Sequence, residues 1–519
     1  MEQGRLFTLI QKLYPTKEAL IAFFVTIALV GGGIFISLYQ KGFFKKEEKK
    51  EGVYTMADVS RHHTSDDCYI VIDGKVFDVT EPLKAHPSMF NCGGDSSANY
   101  HKNHGPTIRS RMDPFLVGVL EGGVATTPSV ASFVTEAKPI NPHPELFVKE
   151  GSWNPLDLMM VMERDNHSLL AIDGSTHTAV GRVLDIGSQP HTEVFSPDGM
   201  YSYHISRDGW LSKIDLRTLQ VVKFVSVGMD SRGTGLTDDG KIIAIGNYDP
   251  RNVVLLNANT LEIIKRIDLI DTRGDTVATS RAGAILEKGR KIFVALKDTP
   301  SVWVIDTSQR GFPVTNYYWD VGAPGDTLHD AYLTPDGKYF IAAVQGSDEA
   351  WVLNTETMKE VARVKTGKTP HTGPGATWGT TTFVPSLGEG LITAIDIRTW
   401  KPLAYIKTAG PGLFIRNYHG DPSYPYVWAD APLASKGDDE IYVIDGKSLT
   451  VVKTLIPIPG KKAVHPEFTR DGKYVYVGVW GGNKVYVYDS KTFEVVATID
   501  AVTPTGISNV GLRTEEPGL

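Results

Sequence analysis

A short motif recurs eight times in the C-terminal part of the chain, and it constrains the fold more than any other feature. In each copy an apolar run ends in Asp or Asn, and most copies continue with a polar turn and a second apolar run. The motif residues, about 40–50 positions apart, are Asp173, Asp215, Asn257, Asp306, Asn354, Asp396, Asp445 and Asp489. Several copies follow another turn and strand, which gives about four short strands per repeat, the signature of a propeller blade. No amphipathic helical pattern separates the repeats, which excludes a parallel sheet. The sequence therefore predicts a mainly β chain in which residues 146–519 form an eight-bladed β-propeller.

Two cysteines, Cys68 and Cys92, and a net charge of −7 limit the chemistry of the chain. The sequence contains no CxxCH motif and no CxxC motif, which excludes covalent c-type haem and cysteine-ligated zinc or iron–sulfur sites. The negative charge argues against a nucleic-acid-binding protein, which usually carries a basic domain or stripe. Whether the two cysteines form a disulfide stays open at this point.

Residues 19–40 follow a short N-terminal segment, 1–18, and carry no charged side chain. A run of this length can cross the apolar core of a bilayer as one helix. No small-residue cleavage site clearly follows, so the stretch predicts an uncleaved transmembrane helix rather than a cleaved signal peptide. The charged linker 41–52 is rich in Lys, and the positive-inside rule would place this flank in the cytoplasm.

The segment 53–122 contains four features in a fixed order. They are a strand–turn–strand pattern, a His-Pro pair, the stretch GGDSSANYHKNHG and a closing FLVGVL. In this order they resemble the cytochrome b5 haem-binding domain, which implies a small α+β domain with two histidines on one b-type haem iron. The resemblance carries the two ligands to His86 and His104, with His101 as a rival for the second. Two imidazoles leave no open iron position, so the implied role is electron transfer.

Departures from the b5 pattern leave a haem-free domain of the same fold as the alternative. Ser88 and Met89 stand where the family has Gly-Gly, and the stretch between the two ligands is shorter than usual.

Residues 123–145 contain small residues, Thr and Pro with little periodicity. They predict a linker before the propeller.

Four histidines stand in equivalent places between the repeats, next to the predicted inner strands: His191, His329, His371 and His465. Inner strands line the channel of a propeller, so these histidines are expected to converge on one face. His371 stands in the stretch GKTPHTGPG, whose Gly and Pro keep the backbone stiff and the side chains small. The arginines nearby are Arg164, Arg207 and Arg232. Because Arg pairs bidentately with carboxylates, such a set suits an anionic, metal-bearing ligand. The alternative is that these are ordinary loop and surface residues.

Several motifs of this region follow the order seen in the haem d1 domain of cytochrome cd1 nitrite reductases. They include RDNHSLLAIDGST, VGMDSRG, IGNYDP, TLHDAYLTPDGKYF and GKTPHTGPGATW. The segment 146–519 resembles that domain over its whole length, which implies non-covalent haem d1 in the channel of a periplasmic homodimer. The resemblance places His191 as the iron ligand and His329 with His371 as the catalytic pair over the open iron position. The residues that it places near the haem carboxylates and in the pocket are Arg164, Arg207, Arg232 and Tyr248.

The same resemblance implies an NO-forming nitrite reductase with haem d1 and haem b as cofactors. Nitrite reduction needs one electron, two protons and an open metal position, and histidines that titrate near neutral pH can supply the protons. The c-type electron-entry domain of the family is absent. The b5-like domain is therefore expected to relay electrons from a donor such as a quinol-oxidising complex or a small redox protein. A single inner-membrane anchor is expected to hold both haem domains in the periplasm, despite the Lys-rich flank.

Two other functions fit the same segment. A haem d1 biosynthesis or carrier propeller would bind the tetrapyrrole without turning over nitrite, and we expect such a protein to lack the full distal pair. A non-catalytic propeller would bind a partner at its channel mouth, because a propeller alone does not imply a function. The presence of both His329 and His371 favours the reductase over the first alternative, and His191 with the arginines counts against the second.

Overall fold

The computed structural model describes residues 52–64, 66–81, 91–97, 100, 112, 115–121, 153–184, 186–273, 276–299, 301–318, 328–373 and 375–515. The predicted membrane helix at 19–40, the linker at 123–145 and the predicted b-haem ligands His86 and His104, with the rival His101, lie outside these residues. In the part of the chain that is described, no helix is both long and apolar enough to cross a membrane.

A five-stranded sheet forms the N-terminal domain, in the order β1-β5-β4-β3-β2. Its elements are β1 Gly52–Tyr54, α1 Met56–Val59, β2 His63–Thr64, β3 Asp67–Ile72, β4 Lys75–Asp78 and β5 Leu116–Leu120. The first strand pairs parallel to β5, and the other pairs are antiparallel. The predicted hairpin is confirmed as β3–β4, with Asp73 and Gly74 both at positive φ in its turn, as a tight two-residue hairpin requires.

A disulfide joins Cys68 and Cys92, which answers the question that the sequence left open. Cys68 is buried on β3, where Ile70 and Phe77 pack around it. Backbone hydrogen bonds run beside the disulfide, from the N–H of Gly93 to the carbonyl of Tyr69 at 2.7 Å. The segment that begins at residue 91 is therefore fastened to the central sheet by covalent and hydrogen bonds.

Eight four-stranded antiparallel sheets and one two-stranded hairpin contain all strands in the rest of the described chain. The first sheet consists of β6 Leu158–Glu163, β7 Ser168–Asp173, β8 Thr178–Val183 and the C-terminal β39 Pro504–Asn509. The second consists of β9 Pro190–Phe195, β10 Tyr201–Ser206, β11 Trp210–Asp215 and β12 Gln220–Ser226. The third consists of β13 Asp230–Leu236, β14 Ile242–Asp249, β15 Asn252–Asn257 and β16 Ile263–Asp268. The hairpin β17 Ile270–Arg273 and β18 Thr276–Thr279 follows it.

The remaining five sheets repeat this plan. The fourth consists of β19 Ala282–Lys288, β20 Lys291–Leu296, β21 Ser301–Asp306 and β22 Val314–Tyr318. The fifth consists of β23 Leu328–Leu333, β24 Tyr339–Val344, β25 Glu349–Asn354 and β26 Lys359–Lys365. The sixth consists of β27 Ala376–Trp378, β28 Thr381–Pro385, β29 Leu391–Asp396 and β30 Lys401–Lys407. The seventh consists of β31 Ile415–Asn417, β32 Tyr426–Asp430, β33 Ile441–Asp445 and β34 Thr450–Leu455. The eighth consists of β35 Ala463–Phe468, β36 Tyr474–Val479, β37 Lys484–Asp489 and β38 Val495–Asp500, and helix α2 Val510–Glu515 ends the described chain.

The recurring Asp or Asn forms the same hydrogen bond in all eight sheets. Its side-chain oxygen accepts from the backbone N–H two residues further on, at 2.7–3.0 Å. Asp and Asn favour this local bond because their short side chains can reach their own backbone. The motif therefore marks the turn between the third and fourth strand of each sheet.

Apolar clusters between the sheets join each sheet to the next. One example is the packing of Tyr203 and Ile205 of the second sheet against Ile245 and Val254 of the third. Corresponding clusters join every other neighbouring pair, including the eighth sheet and the first. The prediction of a mainly β, propeller-like fold is confirmed.

Candidate functional site

Bulges at the beginning of the inner strands present some of the predicted site residues. The ladder between an inner strand and its neighbour skips His191 on β9 and Arg232 on β13. It also skips His329 on β23 and His465 on β35, each together with the next residue. A bulge leaves such residues out of the regular pairing and re-aims their side chains. The propeller-like fold thus turns these side chains out of the regular pattern at the same end of each inner strand.

His191 is held through one ring nitrogen and presents the other. Its Nδ1–H donates to the backbone carbonyl of Arg232 at 2.8 Å, which leaves the lone pair on Nε2. Burial, followed by the positive charges of Arg207 and Arg232, lowers the pKa of His191 to about 3. The ring is therefore neutral at ordinary pH. A neutral imidazole whose other nitrogen is fixed by a backbone carbonyl is the usual form of a metal-ligating histidine.

His329, Asp330 and His371 form one compact group. Nε2 of His371 lies 2.8 Å from Oδ2 of Asp330, and Nδ1 of His329 lies 3.2 Å from Oδ1. The two imidazole rings meet edge to face with centroids 5.4 Å apart. Among the described residues this is the one group of at least three His, Cys, Asp or Glu whose donor atoms, here within 4.8 Å of one another, could hold a metal ion.

Asp330 sets the charge of this group. Burial alone would raise its pKa, but the two histidines outweigh burial and hold the pKa of Asp330 well below its ordinary value. Burial alone would lower the pKa of His371, but Asp330 and the carbonyl of Leu413 raise it instead. That carbonyl accepts from Nδ1–H of His371 at 3.0 Å. Both nitrogens of His371 are thus engaged, and the pair of Asp330 and His371 is charged near neutral pH.

Asp430, a buried residue at the end of β32, holds the backbone around His371 and His465. Its carboxylate accepts from the backbone N–H of Leu413 at 2.8 Å and of Phe414 at 2.9 Å, and from that of His465 at 2.9 Å. Burial raises the pKa of Asp430 to about 6 and lowers that of His465 to about 3. Asp430 therefore fixes the carbonyl of Leu413 that orients His371.

Two cations near the site have carboxylate partners in the chain. Arg232 lies 2.6 Å from Asp230, and Arg281 lies 2.5 Å from Asp298. Both guanidinium groups also lie close to the ring of Tyr248, at 4.8 and 5.1 Å from its centroid. The ring of Tyr248 is therefore a common contact for two ion pairs from neighbouring sheets.

Three further cations have no carboxylate within ion-pair distance in the part of the chain that the structure describes: Arg164, Arg207 and Lys297. Nζ of Lys297 lies 5.5 Å from the centroid of the Tyr248 ring. Burial and the nearby charges of Arg232 and Arg164 lower the pKa of Arg207 to about 10. Partly buried cations without a counter-charge are costly, so the arrangement suits an anionic ligand. Together with the free Nε2 of His191, it fits an iron tetrapyrrole with several carboxylates.

The structure brings most of the predicted residues together. His191 bonds to Arg232, and His329 lies beside His371, while Arg232 lies over Tyr248. Arg164 lies close enough to Arg207 for its charge to lower the pKa of Arg207. The functional roles assigned to these residues stay predictions, as do those of His86 and His104, which lie outside the described part of the chain.

The sequence reading missed four charged residues of the site: Asp330, Asp430, Arg281 and Lys297. Two of them carried a signal. Asp330 directly follows a predicted site histidine. Lys297-Asp298 stands after the second strand of its sheet, as Arg207-Asp208 does in another sheet, so an alignment of the repeats could have identified it.

Comparison with known families and proteins gives two matches in this chain. Residues 153–513 match the family described as Cytochrome D1 heme domain. Residues 55–121 match the Cytochrome b5-like Heme/Steroid binding domain. The two matches identify haem d1 and haem b as the cofactors.

Among similar proteins is a dihydro-haem d1 dehydrogenase of Pseudomonas aeruginosa, 35% identical over 365 residues that cover 69% of this chain and 72% of that one. Protein NirF of Stutzerimonas stutzeri is 30% identical over 70% of this chain and 93% of its own. The solved structure of the dihydro-haem d1 dehydrogenase NirN in complex with DHE has a TM-score of 0.64 and 32% identity. The match extends over 72% of this chain and 80% of the chain in the solved structure.

The prediction of an NO-forming nitrite reductase is wrong. A nitrite reductase of Stutzerimonas stutzeri is 26% identical, which is less than the dehydrogenase at 35% and NirF at 30%. The inference relied on the presence of both His329 and His371. That pair therefore does not separate reductases from the other propellers that this chain resembles.

Proposed function

Because the chain belongs to the cytochrome d1 haem domain family, we propose that its propeller acts on the haem d1 tetrapyrrole itself, as a dehydrogenase of haem d1 biosynthesis. The observation that carries this proposal is the 35% identity to a dihydro-haem d1 dehydrogenase over the propeller region, in a chain that also contains a b5-like haem domain. A dehydrogenase needs an outlet for electrons, and a b-type haem with two imidazole ligands is suited to that task.

The overall chemistry fixes the direction of electron flow. Removal of two hydrogen atoms from a saturated carbon–carbon bond releases two protons and two electrons. A b-type haem held by His86 and His104 of the N-terminal domain would serve as a one-electron acceptor, and a small redox protein or a quinone-linked complex would finally take up the two electrons. Electron flow is thus opposite to that expected for a reductase, and the proposed redox partner is an acceptor.

Residues of the chain would divide the binding and proton-handling tasks. Nε2 of His191 would hold the iron, and Arg164 and Arg207 would pair with carboxylates of the tetrapyrrole. When bound, the tetrapyrrole would supply the iron and the bond to be oxidised. The group of Asp330 and His371 holds a proton in a fixed position and can exchange it with the released protons.

A second candidate is a carrier that binds haem d1 without changing it. Its support is the relative NirF, 93% of which is covered by the propeller region of this chain. The b5-like domain favours the dehydrogenase, since a carrier requires no electron acceptor. Binding without a change in mass would identify a carrier.

Anaerobic incubation of the full-length protein with dihydro-haem d1 tests the proposal. We expect the bound tetrapyrrole to lose the mass of two hydrogen atoms while the absorption bands of reduced b-type haem appear. A matched His86→Ala variant should bind the tetrapyrrole but show no b-type bands. A tetrapyrrole that stays unchanged in mass, in the presence of oxidised b-type haem, would reject the dehydrogenase in favour of the carrier.

We further propose that the eight sheets are the blades of one propeller and that the helix at 19–40 anchors it, as a homodimer, with both haem domains in the periplasm. Disulfides form in oxidising compartments, so the bond between Cys68 and Cys92 supports this side of the membrane over the one that the positive-inside rule favours. A topology reporter fused after Lys45 tests the orientation. Activity of a cytoplasmic reporter at that point would reject it.

A further inference from the structure

We propose that Lys297, together with Tyr248 and Arg281, forms a second carboxylate-binding centre in the site, which selects tetrapyrroles with more than two carboxylates. This inference rests on the proposed function in one respect, namely that a tetrapyrrole occupies the site. What it adds is a residue, Lys297, that recognises a further carboxylate of that tetrapyrrole. The first centre is the group of Arg164, Arg207 and Arg232.

The repeat structure is the first argument. Lys297 directly follows β20, the second strand of the fourth sheet, and Arg207 directly follows β10, the second strand of the second sheet. Each is followed by an aspartate that accepts a backbone N–H at the beginning of the same sheet: Asp298 from Arg281 at 2.9 Å, and Asp208 from Ser188 at 2.8 Å. The same local structure therefore presents a cation from each of two sheets.

The charge distribution around Lys297 is the second argument. Asp298, its neighbour in sequence, is engaged by the guanidinium of Arg281. Asp330, the other acid nearby, is engaged by His329 and His371. Over the described ranges no carboxylate comes within ion-pair distance of Lys297, although burial, opposed by Asp330, lowers its pKa. An anionic group from a ligand would supply the missing counter-charge.

The ring of Tyr248 lies near cations of both centres. It lies 4.8 Å from Arg232 of the first centre, and 5.1 and 5.5 Å from Arg281 and Lys297 of the second. The charges of Arg232 and Arg164 have the largest effect on the pKa of Arg207. The charges of Asp330 and Arg281 have the largest effect on the pKa of Lys297. Arg207 and Lys297 follow strands of different sheets, so a ligand that pairs with both would carry at least two carboxylates.

Fluorescence titration of the full-length protein without haem d1 tests this inference. The probes are zinc coproporphyrin, with four carboxylates, and zinc mesoporphyrin, with two adjacent ones. In Lys297→Met we expect the affinity for the coproporphyrin to fall roughly 10- to 100-fold, the effect of one charge-assisted hydrogen bond. The affinity for the mesoporphyrin should change less than about threefold, and Lys297→Arg should retain most of the affinity for both.

Lys338→Met is the matched control, because Lys338 also lies over a tyrosine ring, 5.3 Å from that of Tyr339, at a turn in another sheet. Equal losses for the two porphyrins in Lys297→Met, or no loss, would overturn the second centre. A loss in the Lys338→Met control of the same size would overturn it as well. Failure of the unmodified protein to bind either porphyrin would instead reject the tetrapyrrole site, and with it the proposed function. Dehydrogenation of haem d1 is not part of this readout, so the two failures are distinguishable.

Discussion

His191, on β9, and His371, in the segment before β27, are the same residue type, yet their surroundings make one neutral and the other positively charged. His191 lies among cations, and burial with Arg207 and Arg232 lowers its pKa to about 3. His371 lies against Asp330, which outweighs burial and raises its pKa. One nitrogen of His191 is free, whereas both nitrogens of His371 are engaged. The neighbours, rather than the histidines themselves, thus decide which ring can bind a metal and which can hold a proton.

The largest effect should come from His191→Ala. If Nε2 of His191 holds the iron, this change should lower the affinity for an iron tetrapyrrole roughly 100-fold, which corresponds to about 2.7 kcal/mol. Binding of the metal-free porphyrin should change little, because the cations of the site remain. Titration of both forms measures the difference. An equal loss for both forms would mean that His191 is only part of the pocket wall.

A smaller effect is expected for Asp330→Asn. This substitution removes the negative charge that raises the pKa of His371 and so makes it differ from that of His191. Loss of a charge-assisted hydrogen bond of this kind should cost about 2 kcal/mol of unfolding free energy. The folded pKa of His371 is raised above its ordinary value of 6.5, and the pKa of Asp330 is lowered below its ordinary value of 3.8. The stabilisation is therefore complete between these two values. It is lost as pH rises through the raised pKa of His371 and as pH falls through the lowered pKa of Asp330.

Thermal unfolding across this pH range, with and without the substitution, measures that dependence. The variant should approach the unmodified protein in stability at high pH. In the variant, nuclear magnetic resonance of labelled histidines should show a lower pKa for His371 and an unchanged neutral ring for His191. A stability difference that does not vary with pH would contradict a charged pair of Asp330 and His371.

The smallest of the three effects is expected for Asp430→Asn. An amide keeps one oxygen for the N–H groups of Leu413 and Phe414 but presents its own N–H groups to the backbone N–H of His465. Loss of that single hydrogen bond should cost about 1 kcal/mol. Denaturant unfolding gives this value, and hydrogen exchange at His465 locates it. A change in the pKa of His371 as large as that caused by Asp330→Asn would show that the two carboxylates do not have separate roles.

The repeats could be predicted because local chemistry produces them, and Arg164, Arg207, Arg232 and Tyr248 could be named because their motifs resemble those of a known family. Each motif Asp or Asn accepts a hydrogen bond from the residue two positions further on, so its pattern can be recognised from the sequence alone. The partnership of Asp330 with His371 joins residues from adjacent sheets. The contact of Lys297 with Tyr248 likewise depends on the arrangement of two sheets. No local signal reports such contacts. The nitrite reductase prediction was overturned by the comparison with relatives, not by either contact.

Pairing of β39 with β6 has a consequence for the synthesis of the protein. The backbone N–H of Val502, just before β39, donates to Glu163 at the end of β6, across 339 residues of sequence. Until β39 leaves the ribosome, one edge of β6 remains unpaired and is open to pairing with other chains. The first sheet therefore stays incomplete until β39 has been synthesised, and the nascent chain needs protection from aggregation until then.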